Sequence, residues 1–201
     1  MDPVPVLGKT ALFGGVPAAE LESLVPAIRS RTFPRGSYVF HEGDPGTTFY
    51  VIHSGQIKIA RLGRHGEEVV FAILLPGDTF GELALFQDQA TRTADAQAME
   101  LTECLTMERQ AFMAFVDRHP EVTTHIIRML GGYIRDMDES FSEAAFLDIP
   151  GRVAKKLLEL AETHGEQAPG GTRITLRLTQ RTLAGMVAAS RENVNRALSR
   201  L

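Results

Sequence analysis

The hydrophobic pattern changes sharply along this chain, and that change limits its fold more than any other feature of the sequence. Residues 32–107 contain short β-branched and aromatic runs separated by glycines, whereas apolar residues at helical spacing follow from about residue 120. Many short strands at near-regular spacing indicate a β-sandwich or barrel rather than an α/β sheet. Ser54-Gly55 is typical of a tight hairpin turn. The predicted strands are Tyr38–Phe40, Thr48–His53, Gln56–Leu62, Val69–Leu74, Thr93–Ala98 and Leu101–Met107.

Helices are predicted on both sides of the strand region, first over residues 17–30 and then beyond Glu108. In the second helix, apolar residues recur at intervals of 3, 4, 3, 4 and 3, at Ile127, Leu130, Ile134, Met137, Phe141 and Ala144. Such a heptad seam favours a two-stranded coiled coil, and therefore a homodimer. The alternative is a helix that lies only on its own β-domain. The apolar stripe is widened by Ile126, Met129 and Tyr133, so the helix can contact both its own β-domain and a second copy of itself.

A helix break is predicted at 148–151, and a short helix follows it with one apolar face. That face comprises Val153, Leu157, Leu158 and Ala161. A glycine-rich loop over 165–171 then leads into an alternating run over 174–178, which predicts a strand.

Charge is unevenly distributed along the chain. The total is −4, yet residues 150–201 carry a net charge of +5 and residues 1–149 a net charge of −9. A basic module on an acidic body is the asymmetry expected when only one part meets a polyanion. The single cysteine, Cys104, cannot form an internal disulfide or supply a cysteine-based metal site, and no histidines are spaced as a metal pair, so we expect no metal. Because there is no membrane span or signal peptide in the pattern, we expect a cytoplasmic protein.

Residues 179–201 predict a helix-turn-helix. Thr179 and Ser190 are typical caps of two short helices, and Ala188-Ala189 separates them. Leu183, Met186 and Val187 form the apolar face of the first helix, and Ala184 and Val194 suit the crossing point. Arg191, Glu192, Asn195 and Arg196 occupy the first two turns of the second helix, where side chains reach base edges. The alternative is an ordinary helical hairpin with solvated charges.

The segment Phe80–Ala96 is a candidate anion site between two predicted strands. Gly81-Glu82 opens a short helical turn, whose backbone N–H groups can meet a phosphate, and Arg92-Thr93 follows. A guanidinium can bind the same phosphate, and a carboxylate can accept from a sugar hydroxyl. The alternative is a surface loop with a Glu82–Arg92 ion pair.

The segments Phe80–Phe86 and Thr91–Ala94 resemble the phosphate-binding cassette of cyclic-nucleotide-binding domains. Phe146–Leu158, Leu178–Ala184 and Ser190–Arg196 resemble the hinge and helix-turn-helix of the cyclic-AMP receptor protein/fumarate-nitrate regulator family. The resemblance implies an α+β homodimer with a jelly-roll effector domain (1–118), a dimerisation helix and hinge (119–148) and a winged helix-turn-helix domain (149–201). It also implies a bacterial transcription regulator without catalytic residues.

The resemblance further implies the site residues. Gly81, Glu82, Arg92 and Thr93 would meet the ribose and cyclic phosphate of cyclic AMP. Met137 and Asp138 stand where strictly cyclic-AMP-dependent members have Thr and Ser against the adenine. The implied partners are palindromic double-stranded DNA and RNA polymerase. The implied DNA contacts are Thr179, Gln180, Arg181, Ser190, Arg191, Glu192, Asn195 and Arg196.

The sequence departs from the family's pattern at Met137 and Asp138 and in two further places, and three alternatives to this interpretation stay open. Ala188 stands at a turn position that the family often gives to Gly, and the sequence stops before the β-hairpin wing, so we expect a truncated domain. One alternative is a family member that binds DNA without an effector. Another is a cyclic-nucleotide module that regulates an enzyme or channel, which the helix-turn-helix disfavours. The third alternative is an enzyme, but no arrangement of a nucleophile and a base in the sequence supports it.

Overall fold

The computed structural model describes residues 2–87 and 90–200, so Asp88 and Gln89 of the predicted cassette lie outside the described residues. The chain forms two compact units, one of Met1–Ala60 with Ala72–Tyr133 and one of Arg61–Phe71 with Ile134–Leu201. Among the helices of the described ranges, none is both long and apolar enough to cross a membrane. The predicted boundaries at 118 and 148 stay predictions.

The β-rich part contains two four-stranded sheets. The strands are β1 (Ile28–Phe33), β2 (Tyr38–Phe40), β3 (Thr48–Ser54), β4 (Ile57–Leu62), β5 (Glu68–Leu74), β6 (Thr79–Phe80), β7 (Asp95–Ala98) and β8 (Thr102–Glu108). One sheet has the order β1-β8-β3-β6 and the other β2-β7-β4-β5. β8 pairs with β1 and β3 antiparallel, and β7 does so with β2 and β4. This double-sheet arrangement confirms the predicted jelly roll.

The predicted hairpin at Ser54-Gly55 is wrong. β3 and β4, which flank it, belong to different sheets, so the turn carries the chain from one sheet to the other. Gly55 has φ +86°, and a Cβ there would lie 2.6 Å from the Leu101 carbonyl oxygen. The tight turn therefore reflects crowding against a distant segment rather than pairing of its two neighbours.

The helix predicted over 17–30 is shorter than expected. The N-terminal region forms α1 (Val4–Gly8), α2 (Ala18–Glu22) and a 3-10 turn at Val25–Ala27. Residues 28–30 already belong to β1, which pairs with β8 from Ile28↔Met107 onward. Long-range backbone pairing overrides the helical spacing there.

The first unit has two apolar clusters. The aromatic rings of Phe13, Phe49, Phe112 and Phe115 are at most 1% exposed and join the N-terminal helices to β3 and to α3 (Arg109–Val116). A second cluster of β-strand residues fills the space between the sheets. Its members are Tyr50, Ile52, Ile57, Phe80, Ala96, Ala98 and Cys104. It is this second cluster that adjoins the candidate anion site.

The long helix α4 (Pro120–Phe146) has two different apolar faces. Val122 and Ile126 are buried against the β-rich unit, and Met129 Sδ lies 4.0 Å from the Thr79 hydroxyl. On the other face, the seam residues Ile127, Ile134, Met137 and Phe141 are 60–78% exposed. The helix therefore packs on its own β-domain, partly through the predicted seam residue Leu130, and still leaves these four seam residues exposed.

The second unit contains α5 (Ile149–His164), β9 (Gly165–Ala168), β10 (Gly171–Ile174), α6 (Gln180–Met186) and α7 (Arg191–Leu198). β9 and β10 pair antiparallel, so the predicted loop is largely a hairpin and the strand predicted over 174–178 ends at Ile174. α5 buries Val153 and Leu160, whereas Leu158, predicted on its apolar face, is 66% exposed.

Candidate functional sites

The candidate anion site begins where β6 ends. Gly81 has φ +82°, and a 3-10 turn at Leu83–Leu85 follows with Glu82 at its start. A Cβ on Gly81 would lie 2.7 Å from Arg92 Nη1 and 3.1 Å from the Thr48 carbonyl oxygen. Only glycine combines this backbone conformation with this close approach.

Arg92 is the buried cation of this site, with only 4% of its surface exposed. Its Nη1 donates to the Gly81 carbonyl oxygen and its Nη2 to the Thr48 carbonyl oxygen, both at 2.7 Å. The guanidinium also lies 4.2 Å above the centre of the Phe40 ring, within the range of a cation–π contact. Burial lowers the pKa of Arg92 from its usual value, but an arginine keeps its charge at neutral pH.

Glu82 is the buried carboxylate beside it, and it is 2% exposed. Burial raises the pKa of Glu82 above its usual value, while its own backbone N–H, a hydrogen bond with Tyr133 and the charge of Arg92 oppose that rise. Its Oε2 has no hydrogen-bond partner within residues 2–87 and 90–200. The two hydrogen bonds described for Arg92 end on carbonyl oxygens, so neither is the ion pair of the surface-loop alternative.

Two polar atoms of this site are thus buried without a partner in the described part of the chain, Glu82 Oε2 and Arg92 Nε. Buried polar groups in native proteins are nearly always satisfied, so a ligand that bonds both atoms would complete this site. One atom is an acceptor and the other a donor. A ligand that matches them offers both a hydroxyl and an anionic oxygen.

The other predicted effector contacts are not assembled around this pair. Thr93 follows Arg92 directly, but its side chain is exposed. Met137 is 69% exposed and Asp138 is also exposed, and both belong to the second unit. Their roles stay predictions. The contact of Tyr133 with Glu82 was missed because helical spacing marks position 133 as part of a stripe without showing which loop it meets.

The predicted helix-turn-helix is confirmed in its local details. The Thr179 hydroxyl accepts from the Thr182 N–H at 3.0 Å, and the Ser190 hydroxyl accepts from the Asn193 N–H at 3.3 Å. Both caps therefore lie where the sequence predicts them. Val194 is completely buried and Ala184 is 4% exposed, as the crossing of the two helices requires.

The turn between the two helices adopts a conformation unusual for its residue. Ala188 has φ +47°, the only positive value among the non-glycine residues described. This is the left-handed conformation for which glycine is favoured. Alanine adopts this conformation here at a modest strain.

All predicted DNA contacts have exposed side chains. They are Thr179, Gln180, Arg181, Ser190, Arg191, Glu192, Asn195 and Arg196. Arg196 Nη2 donates to the Asn193 side-chain oxygen at 2.6 Å. The Glu192 pKa is lowered by its own backbone N–H, by the Ser190 hydroxyl and by the nearby arginines, so its carboxylate is ionised at neutral pH. The second helix thus presents both cations and an acceptor to solvent.

Two further polar residues, Ser199 and Arg200, lie just beyond this helix and were not among the predicted DNA contacts. With Asn195 and Arg196 they line an open surface depression. Helical spacing provides the signal that could have found them, because positions 192, 196 and 199–200 share one face of a continuing helix.

Comparison with known proteins agrees with this two-part construction. The model of the cyclic nucleotide-binding domain matches residues 30–119, and that of the Crp-like helix-turn-helix domain matches residues 151–201. The chain is 38% identical over 194 residues to a protein of Mycobacterium tuberculosis named CRP-like cAMP-activated global transcriptional regulator, covering 96% of this chain and 86% of that protein. It is 31% identical to the cyclic AMP receptor protein of Thermus thermophilus, covering 94% and 84%.

Solved structures have the same fold. A c-di-GMP-responsive global regulator of Xanthomonas campestris superposes with a TM-score of 0.81 at 26% identity, over 92% of this chain and 91% of that one. The catabolite activator protein of Thermus thermophilus superposes with a TM-score of 0.61 at 31% identity, over 96% and 86%. With a jelly roll that holds the Glu82 and Arg92 site and a C-terminal helix-turn-helix, the chain belongs to the Crp/Fnr family of DNA-binding transcription regulators.

Proposed function

We propose that this chain works as a homodimer whose binding to palindromic DNA is controlled by cyclic AMP. The single observation that carries the effector part is the buried pair of Arg92 and Glu82, each with a polar atom that has no partner among the residues the structure describes. RNA polymerase is the further partner that the family resemblance implies, and a DNA-bound regulator of this kind acts in the bacterial cytoplasm.

A cyclic nucleotide fits the chemistry of that pair. Its cyclic phosphate carries one negative charge, which accepts the remaining N–H groups of Arg92 in charge-assisted hydrogen bonds. Its ribose has a free hydroxyl, which donates to the Glu82 carboxylate. Gly81 carries no side chain, so the backbone at the start of the 3-10 turn can approach the ligand closely. These residues recognise the sugar-phosphate part and do not distinguish the bases.

Cyclic AMP is proposed over other nucleotides on the names of the relatives. Two of them are named for cyclic AMP, whereas the structural relative from Xanthomonas is described as c-di-GMP-responsive. The direct test is calorimetric titration with cyclic AMP, cyclic GMP and c-di-GMP, followed by DNA binding with and without each. Saturable binding of cyclic AMP that strengthens DNA binding supports the proposal. DNA binding of equal strength with and without every nucleotide supports the effector-independent alternative.

Replacing Glu82 with Gln is expected to weaken nucleotide binding and yet stabilise the ligand-free protein. A neutral amide accepts the ribose hydroxyl about half as strongly as a carboxylate, which corresponds to roughly a tenfold loss of affinity. The ligand-free fold gains because the variant no longer buries a carboxylate whose pKa is raised by that burial. Calorimetry measures the first effect and thermal melting the second.

The stabilisation has a defined pH dependence. Because the Glu82 pKa is higher in the folded state than its ordinary value of 4.5, the wild type loses stability as the pH rises through the folded pKa. The melting temperature of Glu82→Gln is therefore expected to exceed that of the wild type at neutral pH, and the gap to close on acidification below pH 4.5. A gap that widens on acidification would contradict the assignment.

Arg191 and Arg181 are expected to affect DNA binding in different ways. Arg191 lies in the first turn of α7, where a bidentate contact with guanine is worth about 1–3 kcal/mol of discrimination. Arg181 lies in the first turn of α6, the helix that crosses the phosphate backbone in this motif. Arg191→Ala is expected to relax selectivity at one base pair per half-site. Arg181→Ala is expected to weaken all DNA alike and to lower the salt slope by about one unit.

Selection from random duplexes and salt titration measure these two effects. The wild type is expected to recover paired half-sites about one helical turn apart, because a two-fold dimer presents two recognition helices to one face of the duplex. Unpaired sites from the wild type, or an Arg191→Ala selection profile identical to that of the wild type, would overturn the assignment of α7.

A further inference from the structure

One lysine bridges the long helix α4 and the first helix of the DNA-binding region, α5. Lys155 Nζ, on α5, lies 2.8 Å from Glu143 Oε1 and also contacts Glu139 Oε1, both on α4. Glu139 and Glu143 are four residues apart, so they share one face of α4. Only Leu147 and Asp148 separate the two helices along the chain. Such a short connection still has several free backbone dihedral angles, and the contact of Lys155 removes that freedom.

Lys155 lies among three carboxylates that repel one another. The carboxylates of Glu139, Glu143 and Glu159 bring oxygens within 4.8 Å of one another, two from α4 and one from α5. Three like charges at this distance repel and drive the helices apart. The ammonium group of Lys155 contacts two of them, whereas Lys156 pairs with Glu159 along its own helix. Within this network, Lys155 is therefore the cation whose contacts link α5 to α4.

Burial makes this contact stronger than a surface ion pair. The Glu143 side chain is 12% exposed, so little water can reach its carboxylate in place of Lys155. Exposed ion pairs contribute little to stability, but a largely buried carboxylate that loses its cation is strongly unfavourable. The hydrogen bond between Lys155 and Glu139 raises the pKa of Lys155 and lowers the pKa of Glu139, so both groups stay charged at neutral pH.

The position of α5 determines that of the recognition helix. α5 packs against α7 and against the β9–β10 hairpin. Arg152, one turn before Lys155 on α5, donates from Nη1 to the Val187 carbonyl oxygen at 2.8 Å, at the end of α6. A rotation of α5 relative to α4 would therefore carry α6 and α7 with it.

We propose that Lys155 is a positioning residue that fixes the angle between α4 and α5, and thereby the separation of the two recognition helices in the dimer. The inference rests on the proposed function, because two half-sites are read only if two copies pair. Lys155 itself touches no base in this scheme. Its effect is on how strictly the dimer measures the distance between half-sites.

The test is the spacing preference of Lys155→Met, with Lys156→Met as the matched control. Both variants lose one lysine charge from the same helix, but the ion pair described for Lys156 is with Glu159 of α5, and it reaches Glu139 of α4 only through space. Duplexes carry the two selected half-sites at the preferred spacing, or with one base pair added or removed, and a further duplex carries one half-site. The effector-bound full chain is used, and fluorescence anisotropy gives each affinity.

Lys155→Met is expected to lower the preference for the correct spacing at least threefold and to leave single half-site affinity within twofold of wild type. Lys156→Met is expected to keep the wild-type preference. Reversing the charges distinguishes a changed helix angle from a loss of folded structure. Lys155→Glu alone should lose the preference for the correct spacing. The triple variant with Lys155→Glu, Glu139→Lys and Glu143→Lys should regain it.

The failures of the two proposals are distinguishable. A wild-type preference in a folded Lys155→Met variant would overturn the role of Lys155 and leave the regulator function intact. Should Lys155→Met melt below the assay temperature, the charge-swapped variant decides, and a failure to regain the preference there overturns the inference. A wild type that binds one and two half-sites equally would overturn the dimeric function itself.

Discussion

Replacement of Arg92 by alanine is expected to weaken cyclic-nucleotide binding by at least about 30-fold. The guanidinium is the buried cation of the site, and it is held by the Gly81 and Thr48 carbonyl oxygens and the Phe40 ring. Removal of one partner of a buried charge pair costs about 2–5 kcal/mol, because the phosphate loses its cation without regaining water. At about 1.4 kcal/mol per tenfold, the lower limit already corresponds to that 30-fold loss.

Calorimetry on the wild type, Arg92→Ala, Arg92→Lys and Arg35→Ala tests this expectation. Arg35 is an exposed arginine of the same domain, so its removal controls for overall charge. The lysine variant keeps a cation but loses the planar group that spans both carbonyls, and we expect intermediate affinity from it. Because Arg92 also contacts the backbone of its own domain, melting curves accompany each titration. Equal affinity in the wild type and a folded Arg92→Ala would favour the effector-independent alternative.

A carboxylate in the apolar seam of α4 is expected to dissociate the dimer. Ile134 is 60% exposed in the single chain, and Met137 and Phe141 beside it are 69% and 78% exposed. An apolar stripe of this length on one helix is the surface that a second copy would cover. Ile134→Glu places two like charges opposite each other in that seam. Because dimerisation makes binding of the second half-site intramolecular, affinity for the full site should fall by about 10²–10⁴-fold.

Ser142→Glu provides the matched control, since it adds one carboxylate to α4 at an exposed position outside the seam. Sedimentation equilibrium is expected to show a dimer for the wild type and this control, and a monomer for Ile134→Glu. Affinity for a single half-site should be equal in all three. A dimer that persists in Ile134→Glu would show that the seam is not the interface.

Much of the fold could be predicted because its signals are local. β2 has the predicted bounds, and β3, β4, β5 and β8 begin or end within about one residue of prediction. The caps at Thr179 and Ser190 were predictable for the same reason, since each side chain bonds an amide three residues away. The closeness of Gly81 and Arg92 was predictable because both belong to one cassette.

Contacts between distant segments could not be predicted in this way. The turn at Gly55 has the local character of a hairpin, and only the pairing of β8 with β3 and of β7 with β4 shows that it joins two sheets. Likewise, the helical spacing of residues 28–30 is overridden by their ladder with β8. The contact of Tyr133 with Glu82 and that of Lys155 with Glu143 depend on which helix face meets which neighbour.

The sequence by itself therefore determined the elements, the helix caps, the heptad seam and the two motifs that carry function. Tertiary structure decided how the strands divide between the sheets, which face of α4 lies on its own domain, and that Glu82 and Arg92 are buried side by side. The physical reason is the range of the forces involved. Propensity, capping and turn geometry act over a few residues, whereas strand pairing, desolvation and buried charge depend on groups that only the folded chain brings together.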